Sequence, residues 1–164
     1  MPTPAAQSVH LRPILPADLP ILYDFQLDPE SNALAAVNPR DLSTFNALWA
    51  KTLADPTAIA RAIIAPDDRG EPALVGSIGC FKQEDTDSVG YQIARPHWNK
   101  GYATRALALM LQEVKTRPLH ARAAAHNAAS IRVLERNGFV IIRRRFSPAT
   151  DRYHACEEAV LVLA

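Results

Sequence analysis

Trp98-Asn99-Lys100-Gly101-Tyr102-Ala103-Thr104 carries more information than any other run in this chain. It lies between a segment with the alternating pattern of a strand, residues 89–94, and one with helical spacing, residues 103–114. Two small residues, Gly101 and Ala103, let backbone N–H groups approach a ligand closely. Because these groups begin a helix, they favour an anion such as a pyrophosphate, and the lysine of the run adds a mobile cation. The run therefore predicts a phosphate-binding loop.

A second sequence run helps to identify the kind of phosphate-binding loop. The run at residues 98–104 is neither a Walker loop nor a G-x-G-x-x-G dinucleotide motif, and no acidic ribose-binding residue follows it at the expected distance. Further along, Asn127-Ala128-Ala129-Ser130 precedes Asn137-Gly138-Phe139 across a segment with helical spacing. The two runs together are far more specific than either alone.

The paired motifs resemble those of the GNAT superfamily of acyl-CoA-dependent N-acyltransferases. Residues 94–107 are similar to the pyrophosphate-binding motif of its ribosomal-protein acetyltransferase branch. In that branch Trp, here Trp98, often replaces the Gln/Arg of the general Q/R-x-x-G-x-G/A pattern. Residues 127–139 are similar to the following N-x-x-S…G-F motif. Order and spacing match the family, and the resemblance extends from Val9 to Leu163.

This resemblance implies a fold, a cosubstrate and a set of contacts. The fold is mixed α/β, with a mostly antiparallel central sheet, a splayed parallel pair of strands and about four flanking helices. Pantetheine would hydrogen-bond one strand inside the splay, as an added strand would. The implied acetyl-CoA-binding residues are Ile93, Ala94, Arg95, Asn99, Lys100, Gly101, Tyr102, Ala103, Thr104, Asn127 and Ser130.

Periodicity along the chain predicts the order β-α-α-β-β-β-α-β-α-β-β within one domain, residues 1–164. Residues 1–8 are expected to be a loose terminus, and Asp28-Pro29 is expected to end the first helix. A right-handed crossover should join the strands at 89–94 and 119–125 in parallel.

Composition excludes several classes of function. The chain has 164 residues, 48% of them apolar and 21% charged, with a net charge of +1. This composition is typical of a globular protein, and the net charge is too small for a long-range electrostatic attraction to nucleic acid or to an anionic membrane. Cys80 and Cys156 are interpreted as small buried residues in a reducing cytosol, and no cluster has the spacing of a metal site. We therefore expect a cytoplasmic protein without metal, nucleic-acid or membrane partners, and leave open a homodimer.

Acyl transfer to an amine makes three chemical demands. The amine must be neutral, although its usual pKa is about 10.4. The oxyanion needs preorganised donors, for which we expect the backbone N–H groups of Ile93 and Ala94. The departing thiolate needs a donor, for which Ser130 is the candidate. Ser130 has a structural alternative, satisfying the local backbone, and Asn127 is expected both to cap its helix and to contact the cosubstrate.

The general base and the acceptor site stay open at this stage. Relatives often carry Glu just before the Gly-Tyr of the pantetheine strand and after the Ala-Thr of the phosphate motif, where this chain has Val89 and Arg105. His126 or a water chain remain as routes for the proton. Residues between the two early helices either contact an acceptor or form caps and turns: Asn38, Arg40 and Asp41. Aromatic residues on those helices either line the acceptor pocket or pack in the core: Tyr23, Phe45 and Trp49.

The sequence thus predicts an acetyl-CoA-dependent N-acetyltransferase that acts by direct attack of a primary amine, on a small molecule or a protein N-terminus. The alternative is a non-catalytic acyl-CoA-binding sensor or scaffold, which the missing carboxylates favour.

Overall fold

The computed structural model describes residues 4–164 as a seven-stranded sheet flanked by six α-helices. The helices are α1 (Pro4–Gln7), α2 (Leu19–Phe25), α3 (Pro29–Ala35), α4 (Leu42–Ala54), α5 (Tyr102–Glu113) and α6 (Ala128–Arg136). The strands are β1 (His10–Pro13), β2 (Ile59–Pro66), β3 (Pro72–Gln83), β4 (Thr86–Ile93), β5 (Leu119–Ala124), β6 (Val140–Ser147) and β7 (Cys156–Leu163). Short 3₁₀ turns, Pro16–Asp18 and Arg95–His97, precede α2 and α5.

The sheet has the order β1-β2-β3-β4-β5-β7-β6 and is antiparallel except between β4 and β5. The predicted parallel crossover through α5 is confirmed. β4 and β5 pair at Ser88 and His120, near the start of both strands. On its other edge β5 pairs with β7 along its whole length, from Leu119–Leu163 to Ala124–Glu158. The later part of β4 is therefore left with an open edge, as the splayed arrangement requires.

Alternation along β2 divides the core into two layers. Ile63 and Ala65 pack toward α5 and α6, in the cluster that contains Leu107, whereas Ala62 and Ile64 pack toward α2 and α4. Successive side chains of a strand point to opposite faces, so one strand supports both layers. The sheet is covered on both faces, and its helices are fixed against it.

Two helices were not predicted. The structure corrects the expected loose terminus, because Pro4–Gln7 form α1 and Ala6 is buried. Residues 1–3 lie outside the described range. Asp28-Pro29, expected only to end a helix, also begins α3: Asp28 accepts a hydrogen bond from the Ser31 N–H at 3.1 Å, and proline suits the first helical position. Six helices therefore replace the expected four.

No helix among residues 4–164 is long and apolar enough to cross a membrane.

We expect Gly76→Ala to destabilise the fold, because β3 approaches β4 too closely there for a side chain. A Cβ atom at Gly76 would lie 1.9 Å from the backbone oxygen of Gln92. Gly90→Ala is the matched control in the same sheet, since its Cβ would meet only the ring of the partly exposed Phe81 at 3.3 Å. Urea unfolding should show a loss of about 1–3 kcal/mol more for Gly76→Ala than for the control. Equal stabilities would contradict this account of the β3–β4 contact.

Candidate active site

A cavity of about 400 Å³ lies where β4 and β5 separate. Its wall comes from the end of α2, from α3, the end of β4, the loop and first turn of α5, one side of α6 along its whole length and the segment before β7. Most of the predicted cosubstrate residues lie on this wall: Ile93, Asn99, Gly101, Tyr102, Ala103, Thr104, Asn127 and Ser130. The structure thus brings together two motifs that are distant in the sequence.

One end of the cavity is formed by the start of α5. Asn99 and Gly101 both have positive φ, 62° and 78°, and Gly101 is the N-cap residue of the helix. No side chain of residues 4–164 caps this end, and the first intrahelical bond is from the Arg105 N–H to the Gly101 carbonyl, at 3.1 Å. The amides of residues 102–104 precede that bond. Such amides, with the positive end of the helix dipole, form a site for an anion.

Side-chain hydrogen bonds hold this loop in place. The Trp98 indole N–H donates to the Ile93 carbonyl at 2.7 Å, and the Tyr102 hydroxyl donates to the Pro66 carbonyl at the same distance. The Asn137 amide donates to the Thr104 carbonyl at 3.2 Å, which ties the end of α6 to the first turn of α5. Buried Tyr102 therefore supports the loop with its side chain, and its backbone alone is available to a ligand.

At the centre of the cavity, β4 and α6 meet through two hydroxyl groups. The Tyr91 hydroxyl lies 2.9 Å from Ser130 Oγ and donates to the Ser130 carbonyl at 3.0 Å. The Ser130 N–H donates to Asn127 Oδ1 at 3.3 Å, so the predicted N-cap role of Asn127 is confirmed. Burial raises the pKa of Tyr91 to about 12, which keeps its phenol protonated near neutral pH. The Ser130 hydroxyl therefore contacts the Tyr91 side chain, and not a backbone group of its own helix.

The backbone of β4 corrects one predicted oxyanion donor. The Ala94 N–H donates to the Val75 carbonyl at 2.8 Å, so it is committed to the β3 side. Residues of an antiparallel pair alternate between facing the partner and facing away. Ile93 lies opposite Gly76, one residue before Ala94, and therefore belongs to a pair without hydrogen bonds between β3 and β4. The Ile93 N–H thus faces the open edge of β4. Sequence alone could not assign this alternation, because it depends on the register of β3 and β4.

Two further predicted residues lie away from the cavity wall. Arg95 is half exposed and forms ion pairs with Asp28 at 3.0 Å and Glu30 at 2.6 Å. Lys100 forms an ion pair with Asp68 at 3.0 Å beside the loop. Both cations are near the start of α5, but carboxylates already hold them in this conformation.

The opposite end of the cavity is lined by residues of α2, α3 and the segment before β7. Gln26 is buried, and its side chain accepts from the Arg40 N–H at 2.7 Å and donates to the Arg40 carbonyl at 2.9 Å. Buried Asn32 donates to the Gln26 carbonyl at 2.9 Å. Arg152 also lines this end. Gln26 and Asn32 were not predicted from the sequence, because a polar residue in a helical pattern usually indicates an exposed position, and Arg152 was not predicted because it lies in a loop.

The strand that borders the split contributes two side chains to the cavity. Tyr91 and Gln92 alternate along β4, yet both line the cavity, and Gln92 donates to the Phe25 carbonyl at 3.3 Å. The cavity therefore reaches both faces of the sheet. A closed sheet would have let only one of these residues contribute.

Several alternatives from the sequence are now resolved. The early aromatic residues pack in the core, with ring centroids 5.3 Å apart for Tyr23 and Phe45 and 6.2 Å for Phe45 and Trp49. Asp41 caps α4 by accepting from the Thr44 N–H at 2.7 Å. His126 is exposed and contacts the Ala33 carbonyl at 3.0 Å.

Comparison with known proteins agrees with this architecture. The family model for the acetyltransferase (GNAT) domain matches residues 8–140. No curated protein gave a match. Among solved structures, a GNAT-family acetyltransferase from Bacillus anthracis is 20% identical, with a TM-score of 0.76 over 95% of this chain and 94% of that chain. Spermidine N-acetyltransferase from Vibrio cholerae, in complex with CoA and spermine, is 17% identical, with a TM-score of 0.69 over 95% and 96%. Mycobacterium smegmatis RimJ, in complex with CoA-disulfide, is 18% identical, with a TM-score of 0.69 over 94% and 81%.

We expect Tyr91→Phe to change the pH dependence of stability. The folded Tyr91 phenol keeps its proton up to about pH 12, whereas an unfolded tyrosine loses it near pH 10. Between these values the folded state binds more protons, so the stabilisation is complete below about pH 10 and is lost as the pH rises toward 12. Urea unfolding of both proteins at pH 8 and pH 11 should show the wild-type advantage shrinking by about 1 kcal/mol. A difference that does not vary with pH would contradict the burial of this phenol.

Proposed function

This chain belongs to the GNAT acetyltransferase family, and we propose that it transfers the acetyl group of acetyl-CoA to a primary amine by direct attack. Acetyl-CoA is the cosubstrate. The observation that carries the proposal is the continuity of one cavity from the uncapped start of α5 to the open edge of β4. A long cosubstrate bound along it would have its phosphates fixed at one end and its thioester at the centre, beside β4.

The phosphate end supports binding through backbone and charge. The amides of residues 102–104 would contact the pyrophosphate, because they are the donors that the start of a helix leaves without partners. Arg132 and Arg136 lie on the same wall, are exposed and add positive charge. Lys100 and Arg95 would join the site by exchanging their present carboxylate partners for phosphate oxygens.

The thioester would lie beside Ile93. The backbone N–H of Ile93 faces the open edge of β4, and the backbone carbonyl of Ile93 is fixed by the Trp98 indole. A donor held by strand and loop in this way is already oriented before charge develops on the carbonyl oxygen. Such preorganised donors stabilise the oxyanion by roughly 3–4 kcal/mol each.

The reaction forms a bond from the amine nitrogen to the acetyl carbon and breaks the bond from that carbon to sulfur. The acceptor ammonium loses two protons in all, one before attack and one after, and the thiolate takes up one proton. Ser130 and Tyr91 are the hydroxyl donors at the centre of the cavity, and we assign Ser130 to the sulfur. The proton that Ser130 gives up would return from solvent, which receives the protons of the amine, and the Tyr91 hydroxyl, 2.9 Å away, would orient the Ser130 hydroxyl.

The other proton would leave to water. Among residues 4–164, no aspartate or glutamate lines the cavity. His97 does line the cavity. The charges of Lys100 and Asp68 influence its pKa, so His97 lies at the phosphate end. Burial lowers the pKa of His97. No side chain at the acceptor end is thus a base, and the amine must lose its proton to solvent. The lack of a base also makes a non-catalytic acyl-CoA sensor the second candidate.

Gly101→Val should abolish most acetyl-CoA binding, because valine is strained at the positive φ of this N-cap and would displace the first amides of α5 that form the anion site. Gly70→Val is the matched control: Gly70 has φ of 81° and nothing within 4 Å of its Cβ position, so it shares the backbone strain but lies outside the cavity wall. Calorimetric titration with acetyl-CoA should show heat for wild type and for the control, and at least a tenfold weaker Kd for Gly101→Val. Undiminished affinity in a folded Gly101→Val protein would refute the site.

The same proteins test turnover. Thiol release from acetyl-CoA with a panel of amines and N-terminal peptides should exceed the hydrolytic background for wild type and for Gly70→Val. Binding without release on any acceptor would favour the sensor.

Ser130→Ala should lower kcat by about tenfold or more while changing the Kd of acetyl-CoA by less than a factor of about three, because the hydroxyl acts on the departing thiolate. Ser130→Thr keeps a hydroxyl at the same position and should retain most of the turnover. Wild-type kcat in Ser130→Ala would remove Ser130 from the mechanism. A loss of binding equal to the loss of turnover would make it a cosubstrate contact only.

A further inference from the structure

The acceptor end of the cavity has an unusual balance of charge. The charged groups on the wall are Arg132, Arg136 and Arg152, with no carboxylate among the lining residues of the described chain. Arg132 and Arg136 lie on α6 near the phosphate end. Arg152 lies at the other end, where the amine acceptor must enter, so its charge has no role in holding the phosphates.

Arg152 is held rigidly at that end. A short antiparallel bridge pairs Val37 with Tyr153, and the Asn38 N–H donates to the Arg152 carbonyl at 2.7 Å. One Nη1 donor of the guanidinium is directed to the Asn38 carbonyl. The Arg152 Nε is buried and has no hydrogen-bond partner among residues 4–164. A buried donor without a partner costs free energy, and this cost would be offset if the guanidinium turned toward an acceptor bound in the cavity that Arg152 lines.

A second guanidinium lies behind the first. The backbone of Arg40 is bound at both its N–H and its carbonyl by Gln26, a residue of the cavity wall. Neither Arg40 nor Arg152 forms an ion pair with any residue from 4 to 164. Burial lowers the pKa of both side chains, and the charge of Arg40 lowers the pKa of Arg152 further.

Two half-buried cations without a counterion are unfavourable unless a ligand neutralises them. A carboxylate matches the fork of a guanidinium and accepts charge-assisted hydrogen bonds from it. A polyamine would be repelled from this end of the cavity. The amine must nevertheless reach the edge of β4, so the anion and the amine have to belong to one small molecule.

Resting on the proposed function, we propose that the acceptor is a small amino acid-like molecule whose carboxylate is bound by Arg152, close to the charge of Arg40, while its amine points to the β4 edge. Arg152 contacts the carboxylate through its fork. Arg40 supplies the second positive charge from the α3–α4 connection. The site thereby selects amines that carry a carboxylate close to the nitrogen.

The test compares matched acceptors. Each of several α- and ω-amino acids is paired with its carboxamide, and spermidine is included as a polycation. With acetyl-CoA saturating, kcat/KM should be at least about tenfold higher for the acid than for its amide in at least one pair, through KM. Spermidine should be a poor acceptor. Amides that react as well as their acids, or a preference for spermidine, would overturn the inference but leave the acetyltransferase function intact.

Variants assign the effect to the arginines. Arg152→Gln should bring the acid-to-amide ratio close to one by raising KM for the acid, whereas Arg152→Lys should retain part of the preference. Arg144→Gln is the matched control, since Arg144 is exposed on β6 and has no ion pair in residues 4–164, and it should keep the full ratio. The Kd of acetyl-CoA should be the same in all four proteins. An unchanged ratio in Arg152→Gln would exclude Arg152 from carboxylate binding.

A binding measurement separates the two possible failures. In the presence of CoA, the preferred amino acid should raise the melting temperature of wild type but not of Arg152→Gln. If acetyl-CoA binds and no amino acid is acetylated or gives this shift, the carboxylate inference is wrong. If acetyl-CoA itself does not bind, the proposed function fails with it.

Discussion

The separation of β4 from β5 is the constraint that creates the site. β5 lies between β4 and β7 in the sheet, and it pairs along its whole length only on the edge that faces β7. β4 pairs with β5 only at Ser88 and His120, so the edge of its later residues faces the cavity. A pantetheine arm can occupy such an edge as an added strand would. The α5 crossover that joins the two strands begins at the same opening, which places the anion site and the open edge in one cavity.

The register between β3 and β4 decides which backbone groups face that opening. Commitment of the Ala94 N–H to Val75 and of the Ile93 carbonyl to Trp98 leaves the Ile93 N–H as the donor at the edge. Gly76 lies opposite Ile93 and permits the close approach of the two strands. The position of one N–H group is thus determined by residues on β3 and on the loop before α5. The orientation of the Ile93 N–H depends on backbone geometry, and little on the identity of the Ile93 side chain.

The sequence analysis predicted best where a local pattern has a local cause. The glycine and small residues of 101–103 and the Asn127 cap mark helix starts, and both features are found where they were expected. It failed where a pattern has two meanings. Asp28-Pro29 ends one helix and begins another, and proline alone does not distinguish these roles. It also could not find Arg152, because this residue reaches the cavity through the pairing of residues 37 and 153, a contact between distant segments.

The end of the cavity proposed for the acceptor is built from buried polar side chains, whereas the proposed phosphate end is built from backbone amides. Gln26 is satisfied only when the backbone of Arg40 lies against it and Asn32 binds its carbonyl. Breaking one of these bonds would leave a buried polar atom without a partner, at a cost of roughly 1–3 kcal/mol. The segments that carry Arg40 and Arg152 are therefore fixed by hydrogen bonds. Such an arrangement would let the identity of the acceptor be set by a few side chains without disturbing the backbone groups that we propose as the acetyl-CoA site.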